Sequence, residues 1–319
     1  MGRMHANVYG TLEGAELVAV ADSKPDNRQK FSDQFGTPGY DDLEPMLAAH
    51  DLDAVDICLP THLHKEYTIR AAAAGKHVFC EKPMAMTLEE ADQMIDATQR
   101  AGVQLMIGHC IRFWPEYALL KKIADEGTLG KLVSINLTRF GEFPSWSTDN
   151  WLANESLSGG GVLDMHIHDT DFILYLLGEP KEMQSWGSVD GRGPGHVFTT
   201  LQYQGCVAHL EGGWNLPTKT PFKMMFRAIF ERGAMIMDGG PLTIYRPGLE
   251  PEVPEFPKMH AQGGGNISDL GGYYHELAYF VDRVTSGRPL ETVTPQTSKQ
   301  SLAYTLEEIR QIKLRSAAL

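Results

Sequence analysis

The chain has 319 residues, an apolar share of 42%, a charged share of 22% and a formal net charge of −13. Its length exceeds the usual single domain and predicts two, and its acidic balance excludes a nucleic-acid or anionic-membrane surface, since both need clustered Lys and Arg. No apolar run reaches the roughly 20 residues of a membrane span and no charged-then-apolar leader opens the chain, so a cytoplasmic protein acting on a small molecule is expected.

In chain order, "MGRMHANVYG" comes first. Gly2, with Arg3, Met4, His5 and Ala6 behind it, reads as the tail of a glycine-rich nucleotide loop, where a helix N-terminus approaches a pyrophosphate. Residues 16–22, "ELVAVAD", form a valine-rich run ending in an acid, which predicts a strand buried on both faces. Asp22 then stands where a carboxylate binds a ribose hydroxyl, and this favours NAD over NADP. A solvated aspartate after a turn glycine would read the same way.

Residues 53–60, 76–83 and 103–109 repeat the apolar run, each separated from the next by a helical stretch, so a parallel βαβ sheet is expected. The helix after "EKP" is the best marked, with a Thr87/Glu90 capping box at its start and Gly102 at its stop. Ligands of such sheets bind beyond the carboxyl ends of the strands. Pro60, Thr61 and His64 of "PTHLH" and Glu81 and Lys82 of "EKP" follow two strands and are cofactor-side candidates. Against this stand a helix-start histidine pair, His62 and His64, and a solvated surface lysine. Cys58, Cys80, Cys110 and Cys206 are scattered without a C-x-x-C pair, and three of them fall in runs that read as buried strand, so reduced thiols are expected.

From residue 131 the pattern changes. Val133, Ile135 and Leu137 alternate with Ser134, Asn136 and Thr138, as in a sheet covered on one side. Further strand-like runs with glycine turns imply a mostly antiparallel sheet, and residues 261–266, "AQGGGN", form a loop. A late helix puts Tyr274, Leu277, Val281 and Val284 on one stripe and ends at Gly287. The domains are therefore residues 1–112 and 113–319. Between them in chemistry stands "GGGVLDMHIHD". Gly159, Gly160 and Gly161 suit a close backbone approach, and on the helix that follows, running to about Leu177 with Gly178 as its stop, Asp164 and His168 share a face while His166 and Asp169 point elsewhere. A carboxylate can orient an imidazole in that arrangement, as a general base requires. An H-x-H pair can bind metal, but residues two apart on a helix diverge, so no metal is expected. Packing histidines remain the plain alternative.

Together "GRMHA", Asp22, "LPTHLH", "EKPMA", "IRFWPEY" and the glycine triplet with its D-x-x-x-H resemble, in order and essentially end to end, the Gfo/Idh/MocA family of NAD(P)-dependent sugar and cyclitol dehydrogenases. The resemblance implies an α/β protein with an N-terminal Rossmann domain, a C-terminal domain whose open sheet serves oligomerisation as a homodimer or homotetramer, and a nicotinamide held between them. It implies Lys82, Asp164 and His168 as the catalytic trio, and Arg112, Asn150, Trp151 and His168 on the substrate side. Trp151 offers either a stacking face for a sugar or core packing. Relatives differ over whether the lysine or the histidine takes the proton. The family's loop carries two more glycines and a preceding strand, so an in-frame segment supplying both is expected before Met1. Three activities fit: a dehydrogenase acting on a CH–OH group, an NAD-retaining glycoside hydrolase using transient oxidation, and a non-catalytic sugar- or NAD-sensing regulator, against which the intact trio speaks.

Overall fold

Short-range signals account for most of the helix ends. A computed structural model describes residues 1–257 and 271–317, and the predicted loop at residues 261–266 lies outside them. In chain order the elements begin with α1 (Gly2–Tyr9), β1 (Val20–Ala21), α2 (Pro25–Phe35), β2 (Gly39–Tyr40), α3 (Leu43–Ala49), β3 (Ala54–Ile57), α4 (His64–Ala73), β4 (His77–Glu81), α5 (Leu88–Ala101) and β5 (Leu105–Gly108). They continue with α6 (Pro115–Glu126), β6 (Leu132–Glu142), α7 (Glu155–Ser158), a π turn at Val162–His166 and α8 (Ile167–Leu177). Strands β7 (Glu182–Asp190), β8 (Gly193–Tyr203), β9 (Cys206–Leu216), β10 (Lys223–Phe230), β11 (Gly233–Met237) and β12 (Thr243–Tyr245) follow, then α9 (Gly271–Ser286) and α10 (Pro295–Ser316). Helix α5 begins and ends as its sequence dictates: the Thr87 side chain accepts from the Glu90 N–H at 3.1 Å, and Gly102 closes it at φ 69°. Glu90 Oε2 reaches one residue past the box, to the Met86 N–H at 3.1 Å.

The chain divides into two compact units. One comprises residues 1–59, 63–114 and 257–296; the other comprises 60–62, 115–256 and 297–319. In the first unit every strand pair is parallel, as alternation with helices requires. The pairs form two separate ladders, β1–β2 and β3–β4–β5. The expected strand at residues 16–22 pairs only over Val20–Ala21, and its residues are half-exposed instead of buried on both faces. It has a ladder partner on one edge alone, so less surface covers it. The apolar core gathers Met4 and Val8 of α1, Phe79 of β4, Met106 of β5 and Leu277 and Phe280 of α9. On α9 the buried positions are Gly271, Gly272, Glu276, Leu277 and Phe280, while Tyr274, Val281 and Val284 flank them half-buried. Close seating of Gly272 sets that rotation, since a Cβ there would lie 2.5 Å from the Trp114 ring and 2.8 Å from the Cys110 carbonyl oxygen. All four cysteines are free thiols, but only Cys80 sits within a buried strand. Cys110 lies in a short 3₁₀ turn after β5 and Cys58 just past β3.

In the second unit seven strands run in the order β12-β11-β10-β6-β9-β8-β7, antiparallel throughout except for β6 with β9. Tyr117 of α6 is wedged edge-on between Phe172 of α8 and Phe226 of β10, at 4.8 and 5.0 Å between centroids, and this packing holds the helices on one face of the sheet. The alternation at the start of β6 is broken. Ile229 pairs with Ser134 and Phe230 with Leu132, so Val133 is an extra residue that a bulge turns out to solvent while Leu132 turns in.

The glycine triplet approaches protein. A Cβ on Gly159 would fall 2.3 Å from Leu163 Cδ2, and one on Gly160, at φ 78°, 2.8 Å from the Pro194 carbonyl oxygen. One on Gly161 would fall 2.8 Å from the Trp214 indole and 3.0 Å from the Gly195 carbonyl oxygen. The neighbours of Gly160 and Gly161 are backbone or a fully buried ring and cannot give way. Gly161→Ala should therefore lower stability by about 1–3 kcal/mol, measured by chemical denaturation; an unchanged midpoint would show that the π turn can slide off the sheet at no cost.

Candidate active site

The D-x-x-x-H stretch enters its helix through the π turn at Val162–His166 before settling into α8. Its polar residues fall into two groups. Those on the inner side are committed to the scaffold. Asp169, with no exposed surface, receives Arg139 of β6 in a two-pronged ion pair, Nε to Oδ2 at 2.9 Å and a terminal guanidinium nitrogen to Oδ1 at 3.1 Å. His166 Nε2 lies 3.3 Å from Glu308 Oε1 of α10, whose Oε2 accepts from Thr170 Oγ1 at 2.9 Å. Asp171 accepts from Ser301 Oγ at 2.7 Å. Asp164, Met165 and His168 are half-buried while His166, Ile167 and Asp169 are buried, so the expected acid and base share the less covered face of this element.

Lys82 follows β4 and is half-buried, its backbone N–H donating to Glu81 Oε2 at 3.0 Å. Its bond to Pro83 is cis. His64 is buried and bridges the two loops beyond β3 and β4, with Nδ1 2.8 Å from the Pro83 carbonyl oxygen and Nε2 2.8 Å from that of Leu59. Burial holds its pKa below the ordinary imidazole range, and a neutral ring can donate to only one of these two carbonyls. It braces the loops; Thr61 nearby is buried and Pro60 half-buried.

The residues expected to hold a dinucleotide fit it in part. The Met4 and His5 N–H groups turn back to the Met1 carbonyl oxygen at 2.6 and 3.2 Å, whereas the Gly2 and Arg3 N–H groups open the first helical turn and have no helical carbonyl to meet, which suits an anion. The Met4 side chain is in the core and Arg3 is exposed. At the carboxyl end of β1, Asp22 is fixed by the Lys24 N–H to Oδ1 at 2.8 Å and by Asn27 Nδ2 to Oδ2 at 3.1 Å.

Three residues expected on the substrate side are distributed differently. Arg112 is buried, 4% exposed, and donates to the Thr292 carbonyl oxygen at 2.6 Å, so at least part of its guanidinium ties the chain after α9 to the turn after β5. Asn150 is exposed at φ 53°, in a kink shared with Asp149, and Trp151 is half-buried. The structure adds polar residues that motif reading passed over: Arg139, Glu308, Asp56 and Glu276. The only sequence signal for them is a charged residue within an apolar pattern.

Residues 1–109 match the model of an oxidoreductase family with an NAD-binding Rossmann fold, and residues 117–236 match the GFO/IDH/MocA C-terminal domain. The chain is 35% identical over 176 residues to 2,7-anhydro-N-acetylneuraminate hydratase of Mediterraneibacter gnavus, covering 55% of this chain and 46% of that protein. It is 34% identical over 183 residues to myo-inositol 2-dehydrogenase of Thermotoga maritima, covering 57% and 53% respectively. The matched stretch thus spans about half the length of these curated relatives. The crystal structure of myo-inositol 2-dehydrogenase from Lactobacillus plantarum shares the fold, with a TM-score of 0.80 at 23% identity over 98% of this chain and 94% of that one. With a parallel Rossmann-type ladder followed by a large, mostly antiparallel sheet, and with both of the family's domain models matched in order, the chain belongs to the Gfo/Idh/MocA oxidoreductase family.

Proposed function

We propose that the protein is an NAD(P)-dependent dehydrogenase that oxidises a secondary alcohol of a sugar, cyclitol or glycoside, with NAD preferred. The observation that carries this reading is the burial pattern in "DMHIHDTD": His166, Asp169 and Asp171 are buried and bonded to the scaffold, while Asp164 and His168 are half-buried on the less covered face. Oxidising a CH–OH group removes a hydride from carbon and a proton from oxygen. When bound, the nicotinamide accepts the hydride. His168 takes the proton, Asp164 orients the imidazole, and Lys82 binds the reacting hydroxyl and stabilises the alkoxide that develops on it. Gly2, Arg3 and Asp22 serve the cofactor, and Asn150 and Trp151 the substrate. Exposed Trp186 of β7 and Phe198 of β8, which pair across strands, together with exposed Ile229 and Tyr245, support association of copies through the sheet as a homodimer or homotetramer. Among the described residues no helix is long and apolar enough to cross a membrane, which accords with a cytoplasmic enzyme.

The test is a screen of sugars, inositols and glycosides for NAD reduction, run with the wild type and His168→Asn. NADH should accumulate in step with oxidised product, and the variant should lose about 10²–10⁴-fold in kcat. A relative named as a hydratase favours one second reading, redox-neutral chemistry with retained NAD, in which product forms without net NADH. Binding of sugar or NAD with no turnover on any substrate class would leave the regulator.

A further inference from the structure

Inside the first unit, four acids and bases from distant parts of the chain meet in an otherwise apolar core. His5 of α1, 1% exposed, lies with Nδ1 2.8 Å from Asp56 Oδ2 of β3 and Nε2 3.1 Å from Glu81 Oε1 of β4. Asp56 Oδ2 also accepts from Tyr9 Oη at 2.9 Å. Glu276 of α9 is wholly buried, and neither of its carboxylate oxygens has a hydrogen-bond partner among the described residues. Yet a carboxylate oxygen of Glu276, a ring nitrogen of His5 and a carboxylate oxygen of Glu81 lie within 4.8 Å of one another.

An isolated carboxylate in such surroundings is costly unless something compensates it. The geometry names the compensator. His5 Nδ1 faces Asp56 and Nε2 faces Glu81; with Nδ1–H given to Asp56, a metal ion displacing the Nε2 proton would complete the carboxylate–histidine arrangement that fixes tautomer and ring orientation at metal centres. Two ligand atoms each about 2.1 Å from a shared ion stand roughly 3.0–3.4 Å apart in octahedral or tetrahedral coordination, and the Nε2–Oε1 separation of 3.1 Å falls in that range. One nitrogen and two carboxylates suit a divalent transition metal of the zinc class better than magnesium or calcium, which prefer all-oxygen sites. We propose that His5 Nε2, Glu81 and Glu276 form a binding site for a divalent transition-metal ion, oriented by Asp56. The site departs from the metal-free expectation drawn from the H-x-H pair, and it uses none of those histidines. It would tie α1, β4 and α9 together at positions 5, 81 and 276, so binding would stabilise the folded unit. A second group, His5 with Asp56 and Cys58, shares the imidazole. There the His5 nitrogen is already engaged by Asp56, and burial pushes the Cys58 thiol up to about 11, which disfavours the thiolate a metal needs.

The test uses the whole chain, stripped with a chelator and desalted, then titrated with Zn²⁺ and separately with Co²⁺. One equivalent of Zn²⁺ should be retained through gel filtration, and the melting temperature should rise. Glu276→Gln, nearly isosteric, should weaken Zn²⁺ binding at least tenfold, and Asp56→Asn about 10–100-fold. Should a variant fail to fold, the Co²⁺ spectrum of the wild type decides: visible d–d bands without a thiolate charge-transfer band support the nitrogen–carboxylate set. No stoichiometric Zn²⁺, equal binding by Glu276→Gln, or a thiolate band from Cys58 overturns it.

Discussion

Lys82→Ala should lose about 10²–10⁴-fold in kcat for NAD-linked oxidation while binding NAD within about threefold of the wild type. The reasoning separates backbone from side chain. The Lys82 N–H donates to Glu81 Oε2, and alanine keeps that bond and the loop it holds, so the change removes the side chain beyond Cβ and with it the ammonium group. In the proposed mechanism that group serves the alcohol oxygen, whose charge grows during hydride loss, and its effect belongs to the transition state more than to cofactor binding. Steady-state rates with NAD binding measured by fluorescence titration make the comparison. Full activity in Lys82→Ala would remove the lysine from the chemistry, whereas parallel loss of NAD affinity would move it to the cofactor.

The largest stability effect is expected at Arg139. Its guanidinium meets Asp169 with both partners almost fully buried, at 3% and 0% exposure. Replacing a buried pair outright by apolar groups is often tolerated, but removing one partner strands the other charge. Arg139→Met should therefore lower stability by about 3–5 kcal/mol, and the double change Arg139→Met with Asp169→Leu should recover a large part of that loss. Because Asp169 follows His168 directly, the single variant should also lose catalytic rate beyond its stability loss, through displacement of α8. Denaturant midpoints of the two variants decide it. A double variant no more stable than the single would mean that the pair supplies net stability and does not merely satisfy its own charges.

How much of this was legible in the sequence follows from the range of the forces involved. The bounds of α5 come from hydrogen bonds within a few residues, Thr87 to Glu90 and the left-handed Gly102, so a local pattern suffices to place them. The parallel pairing of the first unit and the one-sided alternation of the second follow from period and order along the chain, and with them the motifs that resemble the family. The spacing of Asp164 and His168 likewise assigns them a common face without knowledge of any neighbour. Tertiary structure decided what depends on which elements become neighbours. No local period reveals that Val133 would be bulged out opposite Ile229 and Phe230, or that β1 would be covered on one edge only. The glycine triplet signalled a close approach, but only the fold shows that its partners are Leu163, Pro194 and Trp214. His5, Asp56, Glu81 and Glu276 lie up to 271 residues apart in the chain, and nothing within the reach of a hydrogen bond along the sequence connects them. The convergence of His5 with Asp56 and Glu81, like that of Arg139 with Asp169, exists because desolvation makes an unpaired buried charge too costly, and the pairing that relieves it is chosen by packing.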